Sequence, residues 1–150
     1  MSEATGPIVL LRQGELDLAI RLEHCLEVHR NMEITPVLGG NDAEGVINLR
    51  GELVPVVDLA AALGVPPRQS VLRRRIVICQ WQTDRIGVLV DDVLGIQESS
   101  QELRRRPSTF PDGLQGFCLG ITQVHGRLCF LLDVRALLEG RRVPSEEETA

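Results

Sequence analysis

The chain has 150 residues and a mass of 16.6 kDa, which is long enough to bury a hydrophobic core. Its formal charge of −5 and its 16 basic residues, all arginine, give no electrostatic reason to bind nucleic acid or an anionic membrane. No apolar run approaches the roughly 20 residues of a membrane-spanning helix, and no signal peptide is recognisable. We therefore expect a cytoplasmic protein whose partners are other proteins.

The first half of the chain predicts short strands followed by a helix. Residues 16–22 alternate apolar and polar side chains, which is typical of a strand with one solvent-exposed face. Proline, glycine, asparagine and aspartate in residues 36–44 predict a loop. Further strands are predicted at residues 8–11, 25–28, 45–50 and 53–58, and a helix at 60–63 that Gly64 ends.

The second half repeats this plan. Residues 45–64 read GVINLRGELVPVVDLAAALG, and residues 120–139, 75 positions later, read GITQVHGRLCFLLDVRALLE, with six of twenty residues identical. Residues 18–28 and 86–96 are similar at an offset of 68. The pattern predicts strands at residues 76–82, 86–91, 93–97, 117–124 and 128–133, a polar stretch at 98–113 and a helix at 134–139.

Five strands and a short helix, present twice, predict an all-β fold with short helices, built as two five-stranded β-barrel lobes in one pseudo-duplicated domain. Barrels of about 60 residues would be marginal alone, so we expect one cooperative unit. The domain is predicted to cover residues 7–140, with lobes over about 7–65 and 75–140. The first strand is free to cross between lobes, and residues 1–6 and 141–150 are expected to be mobile tails.

The residues that commonly carry chemistry do not form a catalytic or ligand-binding pattern. The sequence has no phosphate-binding loop and no lysine. Asp58 and Asp133 occupy equivalent repeat positions and are predicted to cap the helices that follow them. Asp91 and Asp92 are predicted to be a solvated strand end, and the four cysteines buried, reduced thiols. We expect no catalytic residue, cofactor or metal site.

Pro55 interrupts an otherwise good strand, and its counterpart in the second repeat is Phe130. Proline lacks an N–H group and is confined to edge strands, strand starts and bulges. The first lobe is therefore predicted to expose an edge or a bulge near Pro55. Such an edge suits a protein partner, or the proline protects it against aggregation, and the sequence leaves both readings open.

The run GVINLRGELVPVVDL, residues 45–59, resembles the CheW-like family of adaptors, which couple bacterial chemoreceptors to their histidine kinase. The resemblance continues through residues 18–28, 85–93 and 127–134, and it covers about residues 7–140. The fold of that family is two five-stranded β-barrels in one domain, in agreement with the repeat pattern. The family usually has a proline-rich stretch with an aromatic residue where this chain has residues 36–44.

The resemblance implies a non-enzymatic adaptor that is monomeric outside receptor arrays and is recruited to these membrane-associated arrays from the cytoplasm. The first lobe would bind the regulatory domain of a CheA-type histidine kinase, and a groove between the lobes would bind the helical cytoplasmic tip of a methyl-accepting chemoreceptor. Two alternatives remain open. One is a CheW-like scaffold of a specialised pathway, such as pilus motility or development, and the other is a small-molecule sensor that uses the cleft between lobes.

The resemblance also implies which residues bind partners. Glu27 would pair with Arg50, since a carboxylate and a guanidinium can form a bidentate bond. Gly45 and Asn48 would lie beside the arginine. The apolar groove would be formed by residues for which core packing is the alternative role, namely Cys25, Gly87, Val93 and Ile96. Cys25 itself departs from the family, which usually has a β-branched residue at that position.

Overall fold

The structure is a computed structural model that describes residues 3–30, 32–37, 44–68, 73–102 and 116–139. Within these ranges the chain is mostly β, with two short helices and a 3-10 turn at Leu22–His24. The helices are α1 (Leu59–Leu63) and α2 (134–139). The strands are β1 (Glu3–Gln13), β2 (Leu16–Arg21), β3 (Cys25–Arg30), β4 (Thr35–Pro36), β5 (Glu44–Leu49), β6 (Glu52–Asp58), β7 (Arg75–Trp81), β8 (Asp84–Val90), β9 (Asp92–Glu102), β10 (Cys118–Val124) and β11 (Arg127–Leu132).

The strands form two sheets. The first sheet has the order β10-β11-β2-β1-β9, and the second has the order β3-β7-β8-β6-β5-β4. Neighbouring strands are antiparallel except for two parallel pairs, β11 with β2 and β6 with β8. The mostly β fold with two lobes is confirmed, but in the described residues the lobes are open sheets and not the closed barrels predicted. His125, in the turn between β10 and β11, hydrogen-bonds to Gln97 of the outer strand β9 at 3.1 Å.

The two halves of the chain exchange strands. The first sheet combines β1 and β2 with the last three strands of the chain, and the second sheet combines β7 and β8 with strands of the first half. The sequence allowed only the first strand to cross between lobes, so the sheets do not follow the predicted ranges 7–65 and 75–140. Each half thus places its first hairpin in the sheet completed by the other half, and neither half contains a whole sheet.

The duplication is preserved in this exchanged arrangement. The sequence offsets pair each strand of one sheet with a strand of the other: β5 with β10, β6 with β11, β8 with β2, β7 with β1, and β3 with β9. Read in this order, the paired strands are neighbours in both sheets. The parallel pair of one sheet therefore corresponds to the parallel pair of the other. The strand β4, only two residues long, is an addition to the second sheet.

Three clusters of buried apolar residues pack on and between the two sheets. The largest combines side chains from both sheets with Val134 and Leu137 of α2, so it is the core between the lobes. A smaller cluster lies within the first sheet, around Leu131, and another within the second sheet, around Ile78. Because burial of apolar surface stabilises by about 25 cal/mol per Å², the large shared core makes the two sheets one folding unit.

The repeated residues carry out local tasks that the sequence predicts. The Asp58 side chain accepts a hydrogen bond from the Ala60 N–H at 2.9 Å, and Asp133 accepts one from Ala136 at 3.3 Å, so both cap the helices that follow them. Gly64 ends α1 with a φ of 70°, a left-handed conformation that glycine adopts without a steric penalty.

Several boundaries differ from the prediction. Residues 3–6, expected in a mobile tail, belong to β1, in which Glu3 lies opposite Glu102 of β9. The strand β9 thus extends five residues beyond the predicted end at Gln97. Most of the predicted loop 36–44 and the predicted tail 141–150 lie outside the described residues. In the described part of the chain, no helix is long and apolar enough to cross a membrane.

Candidate protein-binding site

The turn between β5 and β6 has a fixed shape. Its two central residues, Arg50 and Gly51, both have positive φ angles, 52° and 92°, as the two-residue turn that matches the twist of a β-hairpin requires. The Asn48 side-chain oxygen accepts a hydrogen bond from the Gly51 N–H at 2.7 Å. Asn48 therefore holds the turn that presents Arg50, and it does so from an exposed position.

Arg50 forms a bidentate ion pair with Glu27, as the family resemblance predicts. Arg50 NH1 donates to Glu27 Oε1 at 3.1 Å, and NH2 donates to Oε2. Glu27 lies on β3, and the order of the second sheet places β7, β8 and β6 between β3 and β5. Adjacent strands are about 4.8 Å apart, so this sheet must curve strongly for the two side chains to meet. The ion pair joins its two sides.

The Glu27 carboxylate has a second partner in His29, whose Nε2 lies 2.6 Å from Glu27 Oε1. The hydrogen bond from Arg50, with the smaller contribution of His29, lowers the pKa of Glu27 from 4.5 to about 2. The same pairing raises the pKa of Arg50. Both groups are therefore charged at neutral pH, and the guanidinium is held in one place although its side chain is 63% exposed.

An exposed apolar side chain lies beside this charged turn. Leu53, directly opposite Asn48 on β6, is 71% exposed, more than any other large apolar residue described. Leu53, Pro55 and Trp81 also line a cavity of about 540 Å³ at the start of β6 and beside α2. The surface thus combines an oriented arginine with an exposed leucine and half-buried Pro55 and Trp81, and arginine and aromatic residues are enriched where proteins bind each other.

Pro55 lies inside the second sheet and not on an edge strand, which corrects the prediction. β6 has β5 on one side and β8 on the other. Pro55 lies opposite Val46 of β5, but pairing with β8 begins only at Val56, opposite Gly87. Pro55 therefore precedes the ladder with β8 and interrupts none of its bonds, which explains why a proline is tolerated within an interior strand.

Two of the predicted binding glycines are buried packing positions. A Cβ atom on Gly45 would lie 2.5 Å from Ile34 Cγ2, and one on Gly87 would lie 3.0 Å from Ile76 Cγ2 and 3.1 Å from Val56 Cγ2. Both are covered by neighbouring side chains. Any role in binding would be indirect, because these glycines allow close approach of the groups around them.

Three of the four predicted groove positions lie on outer strands of the two sheets, whereas Gly87 lies on the interior strand β8. Cys25 on β3 and Val93 on β9 are half-buried and pack against the core between the lobes. Ile96 on β9 is 65% exposed. The alternative role of core packing therefore applies to Gly87 and in part to Cys25 and Val93, whereas Ile96 is available to a partner.

Sequence reasoning missed three exposed apolar residues next to these positions. Leu26 and Val28 on β3 are 45% and 48% exposed, and Leu94 on β9 is 42% exposed. The 68-residue offset matches Leu26 with Leu94 and Val28 with Ile96. That correspondence was a usable signal: both outer strands present an apolar pair at equivalent positions of the duplication.

A buried polar cluster lies where the two halves of the chain meet. Asp91, expected to be a solvated strand end, is only 3% exposed. Its Oδ2 accepts hydrogen bonds from the Gly14 N–H at 2.9 Å and the Arg68 N–H at 2.8 Å. The guanidinium of Arg74, also buried, bonds to Asp58 at 2.8 Å. The cluster therefore links the β1–β2 turn, the segment between the two halves and the end of β6.

This architecture defines a two-sheet β domain whose candidate site is a surface around an ion-paired turn. The CheW-like domain family matches residues 7–142. The chain is 33% identical to a probable chemotaxis protein CheW from Rhizobium etli, with 85% of this chain and 90% of that protein covered. It is 28% identical to the chemotaxis protein CheW of Rhizobium meliloti, with 95% and 90% covered. The chain belongs to the CheW-like domain family.

A solved structure shows the same fold. The crystal structure of the scaffolding protein TtCheW from Thermoanaerobacter tengcongensis matches with a TM-score of 0.75 and 23% sequence identity, covering 89% of this chain and 90% of that one. The two-sheet arrangement with exchanged strands is therefore the architecture of a known scaffolding protein.

Proposed function

We propose that this protein is a chemosensory coupling adaptor that binds a CheA-type histidine kinase through one surface and the helical tip of chemoreceptors through another, in receptor arrays on the cytoplasmic side of the membrane. Family membership supports the adaptor role, and the observation that carries the proposal for this chain is the Glu27–Arg50 pair. It holds an exposed guanidinium at a rigid turn beside the exposed side chain of Leu53.

The surface around Arg50 is the proposed site for the kinase regulatory domain. Of the five N–H donors of a guanidinium, the two bonds to Glu27 use one on each terminal nitrogen. Others can bind a carboxylate or carbonyl group of the partner. Leu53, 71% exposed, offers an apolar contact next to it. Because the turn geometry is set before binding, the complex loses little side-chain entropy at this arginine.

The proposed site for the receptor tip includes the apolar residues of the outer strands. An amphipathic helix binds by placing its apolar face against such residues. Leu94 and Ile96 of β9 are exposed, and Val93 supports them from the core between the lobes. Cys25 and Leu26 of β3 occupy the equivalent positions in the other sheet.

The adaptor role is tested by co-sedimentation of the purified protein with a receptor cytoplasmic fragment and with the kinase regulatory domain. The proposal expects retention of both. If neither partner is retained at tens of micromolar, the proposed function is wrong.

The role of Arg50 is tested separately with Arg50→Glu and a matched control, Arg68→Glu. The control side chain is 60% exposed and pairs with Glu15 at 2.6 Å, so its exposure and pairing resemble those of Arg50. We expect Arg50→Glu to weaken kinase binding at least about tenfold, equivalent to about 1.4 kcal/mol, and the control to bind normally. The double variant Glu27→Arg/Arg50→Glu can form the ion pair again, but its positive charge is at position 27 and not at position 50. It therefore distinguishes the effect of losing the pair from the effect of losing the positive charge at position 50. Equal binding by both single variants would remove Arg50 from the site.

A further inference from the structure

Two cysteines face each other across neighbouring strands of the second sheet. Cys25 on β3 and Cys79 on β7 are directly opposite partners in the antiparallel ladder. Both thiols are free, and both side chains pack against the core between the lobes. The two sulphur atoms therefore lie on the same face of the sheet and point into the same group of side chains.

This placement fits the geometry of a disulfide. Directly opposite residues in an antiparallel pair have Cα atoms about 4.5–5.5 Å apart. Disulfides form across Cα distances of about 4.4–6.8 Å. Ladder partners at these two positions are therefore within the range of separations that a disulfide spans. In addition, the ladder is irregular between Cys25 and Glu27, and β3 is the last strand of its sheet, so β3 can adjust to the bond.

The two thiols differ in access and in acidity. Cys25 is half-buried on the outer strand, whereas Cys79 is fully buried. The hydrogen bond between the thiols lowers the pKa of Cys25, and the same contact, together with burial, raises the pKa of Cys79. Because the thiolate is the reactive form, Cys25 is the thiol that an oxidant reaches first and that reacts with it first. Cys79 is positioned to complete the bond.

We propose that Cys25 and Cys79 form a reversible redox modification site, in which a peroxide converts the pair to a disulfide. In the first step the Cys25 thiolate attacks one peroxide oxygen, the O–O bond breaks, and after protonation the products are a sulfenic acid and water. In the second step the Cys79 sulphur attacks the sulfenic sulphur, its proton leaves with the hydroxyl group as a second water, and the S–S bond forms. The two thiols lose two electrons, and the peroxide gains them.

The other two cysteines provide an internal comparison. Cys118 lies opposite Leu132 and Cys129 lies opposite Thr122, so these two thiols are not ladder partners. Burial raises the pKa of Cys129 to about 12. The second pair therefore lacks the ladder placement of the first, and the raised pKa of Cys129 keeps that residue in its thiol form.

The disulfide would tie the outer strand β3 covalently to β7, two residues from Glu27. The expected consequence for partner binding rests on the proposed function, because Cys25 and Glu27 matter to a partner only if the adaptor surfaces are as proposed. The formation of the bond does not depend on that function.

The test uses the full-length protein treated with hydrogen peroxide, then alkylated in denaturant and digested with trypsin. Cleavage after arginine separates the four cysteines onto four peptides, with Cys25 in residues 22–30 and Cys79 in residues 76–85. We expect these two peptides to be joined, with the loss of two hydrogen atoms in mass and release by dithiothreitol. Cys25→Ser and Cys79→Ala should abolish the joined peptide, and Cys118→Ser should retain it.

The inference is overturned if all four thiols of the unsubstituted protein remain open to alkylation, if Cys25 accumulates as sulfinic acid without the link, or if another cysteine pair is joined. Binding of reduced and oxidised protein to the kinase domain and receptor fragment is measured in parallel. A joined pair with unchanged binding overturns only the consequence for partners, whereas failure of the reduced protein to bind either partner contradicts the proposed function and leaves the disulfide result intact.

Discussion

The substitution Asp91→Asn should destabilise the fold strongly, because it neutralises the centre of the buried polar cluster. Asp91 Oδ2 accepts hydrogen bonds from the Gly14 N–H at 2.9 Å, the Arg68 N–H at 2.8 Å and Gln13 Nε2 at 3.3 Å. Its Oδ1 lies 3.6 Å from Arg74 Nε. In either orientation of the new amide, its NH₂ group replaces an oxygen that faces hydrogen-bond donors, either the backbone N–H groups at the Oδ2 position or the Arg74 guanidinium at the Oδ1 position. Asparagine therefore cannot replace the carboxylate.

The size of the effect follows from the ion pair. Breaking a buried ion pair by removing one partner costs about 3–5 kcal/mol. In the variant, Arg74 still pairs with Asp58, whose carboxylate oxygens lie 2.8 Å and 3.3 Å from its terminal nitrogens. The buried positive charge of Arg74 therefore still has one negatively charged partner. We therefore expect the lower end of that range, a loss of about 3 kcal/mol in the free energy of unfolding.

The matched control is Asp92→Asn, which removes the same charge one residue away. The Asp92 carboxylate accepts a hydrogen bond from the adjacent Val93 N–H at 2.9 Å, a local contact, so we expect a loss of about 0.5 kcal/mol or less. With a urea dependence of about 2 kcal/mol per molar, Asp91→Asn should lower the unfolding midpoint by about 1.5 M. A midpoint for Asp91→Asn within about 0.3 M of the control would refute the reasoning.

Three further predictions concern single contacts. The carboxyl of Glu27 should titrate near pH 2, because Arg50 lowers its pKa from 4.5 to about 2; NMR titration of Arg50→Ala should show that pKa returning toward 4.5. The pair should stabilise the fold above pH 4.5 and lose its contribution as the pH falls through about 2. Gly87→Ala should cost about 1–3 kcal/mol in urea unfolding, because its methyl group would overpack a buried site. Oxidation to the Cys25–Cys79 disulfide should raise the unfolding free energy by up to about 4 kcal/mol.

Each of these predictions has a contradicting result. A Glu27 pKa near its ordinary value in the unsubstituted protein would mean that the ion pair is not formed in solution. Unchanged stability of Gly87→Ala would mean that the surrounding side chains have room that the structure does not show. A lower midpoint after oxidation would mean that the disulfide strains the β3–β7 ladder instead of fitting it.

Features that depend on adjacent residues could be predicted from the sequence. The helix caps at Asp58 and Asp133 and the left-handed glycine Gly64 each follow from a few neighbouring residues. The repeat itself revealed the duplicated order of strands. These elements were predictable because the residues that form each of them are close together in the sequence.

Features that depend on distant strands could not be predicted in this way. The repeat is equally compatible with two separate sheets and with sheets that exchange hairpins, since the exchange changes the partners of each strand but not its pattern. Asp91 illustrates the same limit. Its neighbours in sequence are typical of a strand end, and its burial results from the β1–β2 turn and the segment near Arg68, which approach it only in the folded chain.

The two lobes close their curved sheets with the same kind of contact but different chemistry. In the second sheet, Arg50 of the β5–β6 turn reaches Glu27 on the outer strand β3. In the first sheet, His125 occupies the equivalent turn position, with a φ of 53°, and reaches Gln97 on the outer strand β9 at 3.1 Å. Both turns have the same shape and a glycine at the second position, Gly51 or Gly126. The duplication therefore explains why each sheet has a turn residue that reaches its outer strand. Only the turn that contains Arg50 carries a permanent positive charge, and its guanidinium has N–H donors that Glu27 does not use and that a partner can bind. We infer that the surface proposed to bind the kinase arose from this divergence at the turn, on a framework that both lobes retained.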